Sequence, residues 1–276
     1  PGFDSAIGLV RAYKEGKITL EEIDRCAGQL LKAIFERKGA ECKDTKRSEN
    51  APEKEPEISQ EDAGRHHELA QKAAAESIVL LKNENQVLPL KPEKKIAVIG
   101  DFARKARYQG AGSSNVNCIR QENVMDLIDQ YPITVIGFAQ GYQRDRKKNV
   151  HLEEEALSLA KQADQILFFF GLDEISEVEG MDRPHMRVPE NQLALLQKLA
   201  KLGKEIIGVL SGGSAIEMPW ESCCSAIIHG YLGGEAGAGA MLQALTGQVN
   251  PSGKLNETYP MKYEDTPAYH LSLIHI

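Results

Sequence analysis

Five carboxylates crowd one short stretch of this sequence, Asp173, Glu174, Glu177, Glu179 and Asp182, with a single cation, Arg183, at its end. The stretch leaves an apolar run, residues 166–170 (Ile-Leu-Phe-Phe-Phe), that has the composition of a buried strand. Open α/β sheets hold their reacting groups in loops at the carboxyl ends of strands. Carboxylates packed together repel, which raises the proton affinity of at least one of them. A carboxyl that keeps its proton near neutral pH is what general acid catalysis needs. Residue types alone equally describe a solvated acidic loop, so the chemistry depends on elements able to hold this loop in a crevice.

Those elements are legible as an alternation. Short apolar runs at 95–100, 133–138, 166–171, 205–210 and 226–230 lack a polar/apolar period, as strands covered on both faces do. Helical patterns lie between them at 121–130, 152–163, 191–202 and 236–245. A further helix is expected from 59 to 81, opened by Ser59 with Asp62 three residues on. This order predicts an α/β fold, a three-layer α/β sandwich with a mainly parallel sheet. Upstream, Leu20, Ile23, Leu30, Leu31, Ile34 and Phe35 recur at helical spacing behind a Thr19/Glu22 capping box. Residues 38–58 are charged, contain Pro52 and Pro56 and read as a linker.

Composition narrows the partners. A net charge of −7 argues against a nucleic-acid surface. The nearest basic cluster, Arg144, Arg146, Lys147 and Lys148, reads as a solvated loop. No apolar run reaches the length of a membrane span. Cys26, Cys42, Cys118, Cys223 and Cys224 make neither a disulfide framework nor a metal pattern, which favours free thiols in a reducing cytoplasm. His66, His67 and His185 are expected at the surface, not on a metal, and no cofactor is implied. The glycine turn 110–114 (Gly-Ala-Gly-Ser-Ser) lacks the Lys-Ser/Thr ending of a phosphate loop and the spacing of a dinucleotide fingerprint. Residues 211–214 (Ser-Gly-Gly-Ser) do not make a nucleophile elbow, and Trp220 beside Pro219 suits core packing.

Several blocks resemble glycoside hydrolase family 3 in that family's order: 77–83 (Ser-Ile-Val-Leu-Leu-Lys-Asn) with 88–90 (Leu-Pro-Leu), 95–100 (Lys-Ile-Ala-Val-Ile-Gly), 110–114, 179–192 opening Glu-Gly-Met-Asp-Arg, 230–237 (Gly-Tyr-Leu-Gly-Gly-Glu-Ala-Gly) and 250–255 (Asn-Pro-Ser-Gly-Lys-Leu). The resemblance implies a division into the last helices of a (β/α)8 barrel at 1–37, the linker 38–58, the family's C-terminal α/β sandwich at 59–270, and a tail at 271–276 that does not resemble the family's continuation. It implies a retaining β-glycosidase acting on a small β-glucoside or oligosaccharide, with the nucleophilic aspartate on a barrel that this stretch does not include.

Glu179 falls at the position of the family's acid/base, with Glu177 ranked second; in an extended loop the two would face opposite ways. Met181 stands where an aromatic residue is usual. Arg183 and Ser113 are the implied substrate contacts, although an Asp182–Arg183 ion pair that shapes the loop is favoured for Arg183. Two other classes stay open. One is a non-catalytic carbohydrate-binding or interaction domain; the other, a nucleotide-binding domain, is disfavoured by the missing fingerprint.

Overall fold

The computed structural model describes residues 4–44 and 58–270, with side chains over 8–36 and 58–270. The chain forms two compact units, Pro1–Ile58 and Ser59–Ile276.

The first unit holds α1 (Asp4–Lys14) and α2 (Leu20–Asp44). The capping box at the start of α2 is present: Thr19 Oγ1 accepts from the Glu22 N–H at 3.2 Å, and the Glu22 carboxylate accepts from the Thr19 N–H at 2.8 Å. Helical backbone continues through Asp44, into the stretch read as a linker. Residues 45–57 and the tail 271–276 lie outside the described residues. Leu30 and Phe35 of α2 are 65% and 66% exposed, so the helix carries an uncovered apolar face.

The second unit runs α3 (Gln60–Ser77), β1 (Val79–Asn83), β2 (Lys95–Ile99), α4 (Val124–Leu127), β3 (Thr134–Ala139), α5 (Val150–Lys161), β4 (Gln165–Gly171), α6 (Glu190–Ala200), β5 (Glu205–Ser211), β6 (Ala226–His229) and α7 (Gly237–Leu245). One sheet, in the order β1-β6-β5-β4-β2-β3, is parallel except for the antiparallel edge strand β1. Alternate strand residues feed two cores. Val98, Leu167, Phe169 and Val209 pack with α3, α4 and α7, while Ile99, Phe168, Phe170 and Leu210 pack with α5 and α6. The fold is therefore a three-layer α/β sandwich with a mainly parallel sheet, as expected. β4 is buried along its whole length, which is why its sequence shows no alternation. Phe168 stacks on Phe170 at 4.9 Å, and Trp220 meets Phe170 edge-on at 4.8 Å, so the tryptophan serves core packing.

The expected helix 59–81 is corrected. α3 begins at the Ser59 cap, whose Oγ accepts from the Asp62 N–H at 3.0 Å, but it ends at Ser77. Residues 79–83 instead pair with β6, in the register Val79↔His229. An apolar Ile-Val-Leu-Leu run continues a helix and fills an edge strand equally well by local pattern. The open side of β6 decides between them.

Two histidines take buried roles. His67, expected at the surface, is 6% exposed; its ring nitrogens lie 2.7 Å from Glu122 and 3.0 Å from Glu235, tying α3 to the segments that precede α4 and α7. His229 is 1% exposed, with Nδ1 3.1 Å from the Leu210 carbonyl and Nε2 2.9 Å from the Tyr259 hydroxyl. A neutral ring that donates from Nδ1 and accepts at Nε2 satisfies both contacts.

Burial lowers the His229 pKa to about 4, against a smaller opposing effect of the Leu210 carbonyl. The unfolded chain takes up this proton near pH 6.5 and the folded one only near 4. The histidine's contribution to stability is thus fully present above 6.5 and declines as pH falls toward 4, by roughly 3 kcal/mol in all. Chemical denaturation from pH 7 to 4 is expected to show that loss, and His229→Gln to flatten it. Parallel pH profiles for the two proteins would contradict the assignment.

Cys26, Cys118, Cys223 and Cys224 are free thiols, and burial pushes Cys224 up to about 12. The Cys42 side chain lies outside the described residues. Among the described residues no helix is long and apolar enough to cross a membrane.

Candidate active site

The strand order reverses at β2, which has β3 on one side and β4 on the other. A crevice opens at such a switch point, beyond the carboxyl ends of the strands. The loop after β2 carries the glycine turn, and the loop after β4 carries the five carboxylates. Gly171 lets the chain leave β4: its φ is +144°, and its Cα lies so close to β5 that a Cβ would stand 1.8 Å from the Ser211 carbonyl oxygen.

Cations from other loops answer the carboxylates, which corrects the picture of mutual repulsion relieved by Arg183 alone. Asp173, 1% exposed, caps the 3-10 turn Glu174–Glu177 by accepting from the Ser176 N–H at 2.9 Å. Arg146 grips it with two hydrogen bonds, Nε to Oδ2 at 2.7 Å and Nη2 to Oδ1 at 2.6 Å. Burial favours the protonated form of Asp173, but the hydrogen bonds from Arg146 and Ser176 outweigh it and hold this carboxyl below its ordinary value. Arg144 joins Asp101 to Glu174, both at 2.5 Å. The segment read as a solvated basic loop is therefore a clamp on the acidic one. Local sequence could not show this, since Arg144 and Asp101 are brought together only by the adjacency of β2 and β3.

Glu177 is fully engaged. Its Oε1 accepts from the Gly213 N–H and the Ser214 hydroxyl, both at 2.8 Å, and its Oε2 accepts from Arg107 Nη2 at 3.3 Å. Val178 forms a parallel bridge with Ala111, and a Cβ on Gly112 would come within 3.2 Å of the Val178 side chain. Glu179 then stands exposed at the loop's tip, where its Oε2 accepts a hydrogen bond from the Ser113 hydroxyl.

Arg183 donates to the Ser214 hydroxyl at 3.0 Å and to the Ala215 carbonyl at 2.5 Å. Among the described residues it has no salt bridge to Asp182, so the expected pair gives way to a brace on the loop after β5. Arg107, unmarked in the sequence, completes the frame with Gly213 and Ser214 of the 211–214 turn. Among the described residues no group of three or more His, Cys, Asp or Glu side chains is placed to hold a metal ion.

Fold and site together define a class: a doubly wound α/β domain with a braced loop of carboxylates, one of them exposed, at the carboxyl end of its sheet. Residues 78–274 match the model of the glycosyl hydrolase family 3 C-terminal domain, and the chain belongs to that family. It is 40% identical over 95% of its length to a thermostable beta-glucosidase B of Acetivibrio thermocellus, of which it covers 33%. It is 35% identical over 94% of its length to an exo-alpha-(1->6)-L-arabinopyranosidase of Bifidobacterium breve, of which it covers 34%. The crystal structure of a Bifidobacterium adolescentis GH3 beta-glucosidase superposes with a TM-score of 0.72 at 35% identity, covering 97% of this chain and 38% of that one. The chain thus spans about a third of the length of these relatives, all of which are glycoside hydrolases.

Proposed function

We propose that the polypeptide is a retaining β-glycosidase of β-glucosidase type, acting on terminal β-D-glycosyl residues of small glucosides or oligosaccharides, and that this chain supplies its acid/base, Glu179. The observation that carries the choice is the contrast between the two candidate glutamates. Glu177 accepts three hydrogen bonds, from Gly213, Ser214 and Arg107, so its carboxylate is committed to the frame, whereas Glu179 meets solvent with one hydroxyl partner. Family membership and the beta-glucosidases among the relatives support the reaction class.

In this mechanism a nucleophilic carboxylate, assigned to a barrel outside this chain, attacks the anomeric carbon while Glu179 protonates the departing oxygen. The two carboxyls would lie about 5–5.5 Å apart, and Glu179 would then deprotonate the water that releases the sugar. The Ser113 hydroxyl orients Glu179 Oε2 before substrate arrives. Arg183 braces Ser214 and Ala215, and the reading gives it no substrate contact.

Proton NMR of 4-nitrophenyl β-D-glucoside turnover by the full-length polypeptide tests this. The first product is expected to be the β-anomer of glucose, because two displacements preserve configuration. Initial release of the α-anomer would sink the retaining mechanism. Sugar binding without turnover would favour a non-catalytic carbohydrate-binding domain.

A further inference from the structure

Three consecutive residues of the acidic loop are held by three residues of the loop after β2. Arg107 contacts Glu177, Ala111 bridges Val178, and Ser113 contacts Glu179. The contacts differ in solvent access. The Arg107 and Glu177 side chains are 1% and 9% exposed, while Ser113 and Glu179 stand in the open. The buried pair is also mutually dependent. Among the described residues the Arg107 guanidinium makes no side-chain hydrogen bond except to Glu177, and its Nε is unpartnered. Removing either partner leaves a desolvated charge without its counter-charge, which is far more costly than losing an exposed ion pair. On its other oxygen Glu177 is locked to Gly213 and Ser214, and Arg183 in turn holds Ser214. Glu177 therefore joins the loops after β2, β4 and β5 at one carboxylate, two residues before the exposed glutamate.

We propose that Arg107 and Glu177 are positioning residues for Glu179: their buried ion pair fixes the base of the acidic loop, and with it the place where Glu179 meets the departing oxygen. The proposal rests on the acid/base reading of Glu179. Neither residue touches the substrate or exchanges a proton in the reaction. Their effect passes through the short backbone stretch 177–179, which the Val178–Ala111 bridge keeps from bending independently.

The test is the leaving-group dependence of kcat/KM over a series of aryl β-glucosides, measured on the full-length polypeptide. A displaced acid matters where the departing phenoxide needs a proton and hardly matters where it does not. Glu177→Gln and Arg107→Met are expected to lose about 10- to 100-fold on phenyl and methoxyphenyl glucosides, the scale of a small misplacement, and little on the dinitrophenyl glucoside. Arg107→Lys, which keeps the charge, is expected to recover part of the loss. A uniform loss across the series reports only a smaller folded fraction and overturns the proposal.

Glu179→Gln in the same series separates the two ideas. A steep profile for Glu179→Gln with flat profiles for Arg107→Met and Glu177→Gln sinks the positioning role alone, and flat profiles throughout sink both. Amide hydrogen exchange on Arg107→Lys, the variant least disruptive to folding, gives a readout that needs no activity. Exchange is expected to quicken at residues 177–180 while β4 keeps its protection, and an unchanged loop would overturn the proposal.

Discussion

Replacing Glu179 by Gln in the full-length polypeptide is expected to lower turnover of an unactivated β-glucoside by roughly 10²- to 10⁴-fold, the usual contribution of a positioned acid/base. The amide keeps the size and polarity of the side chain at the loop's tip and removes only the proton exchange. On a dinitrophenyl glucoside the first displacement needs no proton, so the glycosyl-enzyme forms and then waits, because no base activates water. Azide attacks without a base and is expected to restore turnover, giving β-glucosyl azide. Glu177→Gln keeps the Glu179 carboxylate, and its negative charge opposes the anion, so no azide product is expected there. If Glu177→Gln is the azide-rescued variant, the acid/base lies two residues upstream; rescue of neither makes the acidic loop structural.

The second large effect is on stability. Gly171→Ala is expected to destabilise the sandwich by at least about 4 kcal/mol, because two penalties coincide. The backbone sits at φ +144°, and the new Cβ would overlap the Ser211 carbonyl at 1.8 Å and crowd the Ser211 nitrogen at 2.9 Å. Those are backbone atoms paired with Gly171 in the sheet, so no side chain can give way. Gly203→Ala is the control: φ is +67° and nothing lies within 4 Å, so only the left-handed strain of about 1 kcal/mol remains. With domain stabilities of roughly 5–15 kcal/mol, the first variant loses much of its margin and the second little. Thermal unfolding midpoints separate them, and equal shifts would mean that the Gly171 backbone moves away from Ser211 at small cost.

Much of this protein was decided by sequence alone, because burial leaves a local trace. A strand covered on both faces must be apolar throughout, and β4 with its three phenylalanines could be placed without structure. Caps are equally local, since Thr19/Glu22 and Ser59/Asp62 form their hydrogen bonds within one helical turn. The family was legible for a related reason: its motifs are short and fall in a fixed order along the chain.

Tertiary structure decided what depends on partners far apart in the chain. The fate of residues 79–83 turned on the free edge of β6, which no local pattern encodes. The pairing of Arg144 and Arg146 with Asp101, Asp173 and Glu174 arises because β2, β3 and β4 end side by side; read linearly, the same residues are a basic run and an acidic run that repel internally. The contrast between Glu177 and Glu179 is of this kind as well. Two glutamates two residues apart are chemically alike until Gly213, Ser214 and Arg107 close around one and leave the other in solvent. Residue type supplies a carboxyl's chemistry, but which atoms surround it, and so whether it can exchange a proton with a ligand, follows only from chain crossings that bring distant loops to one end of the sheet.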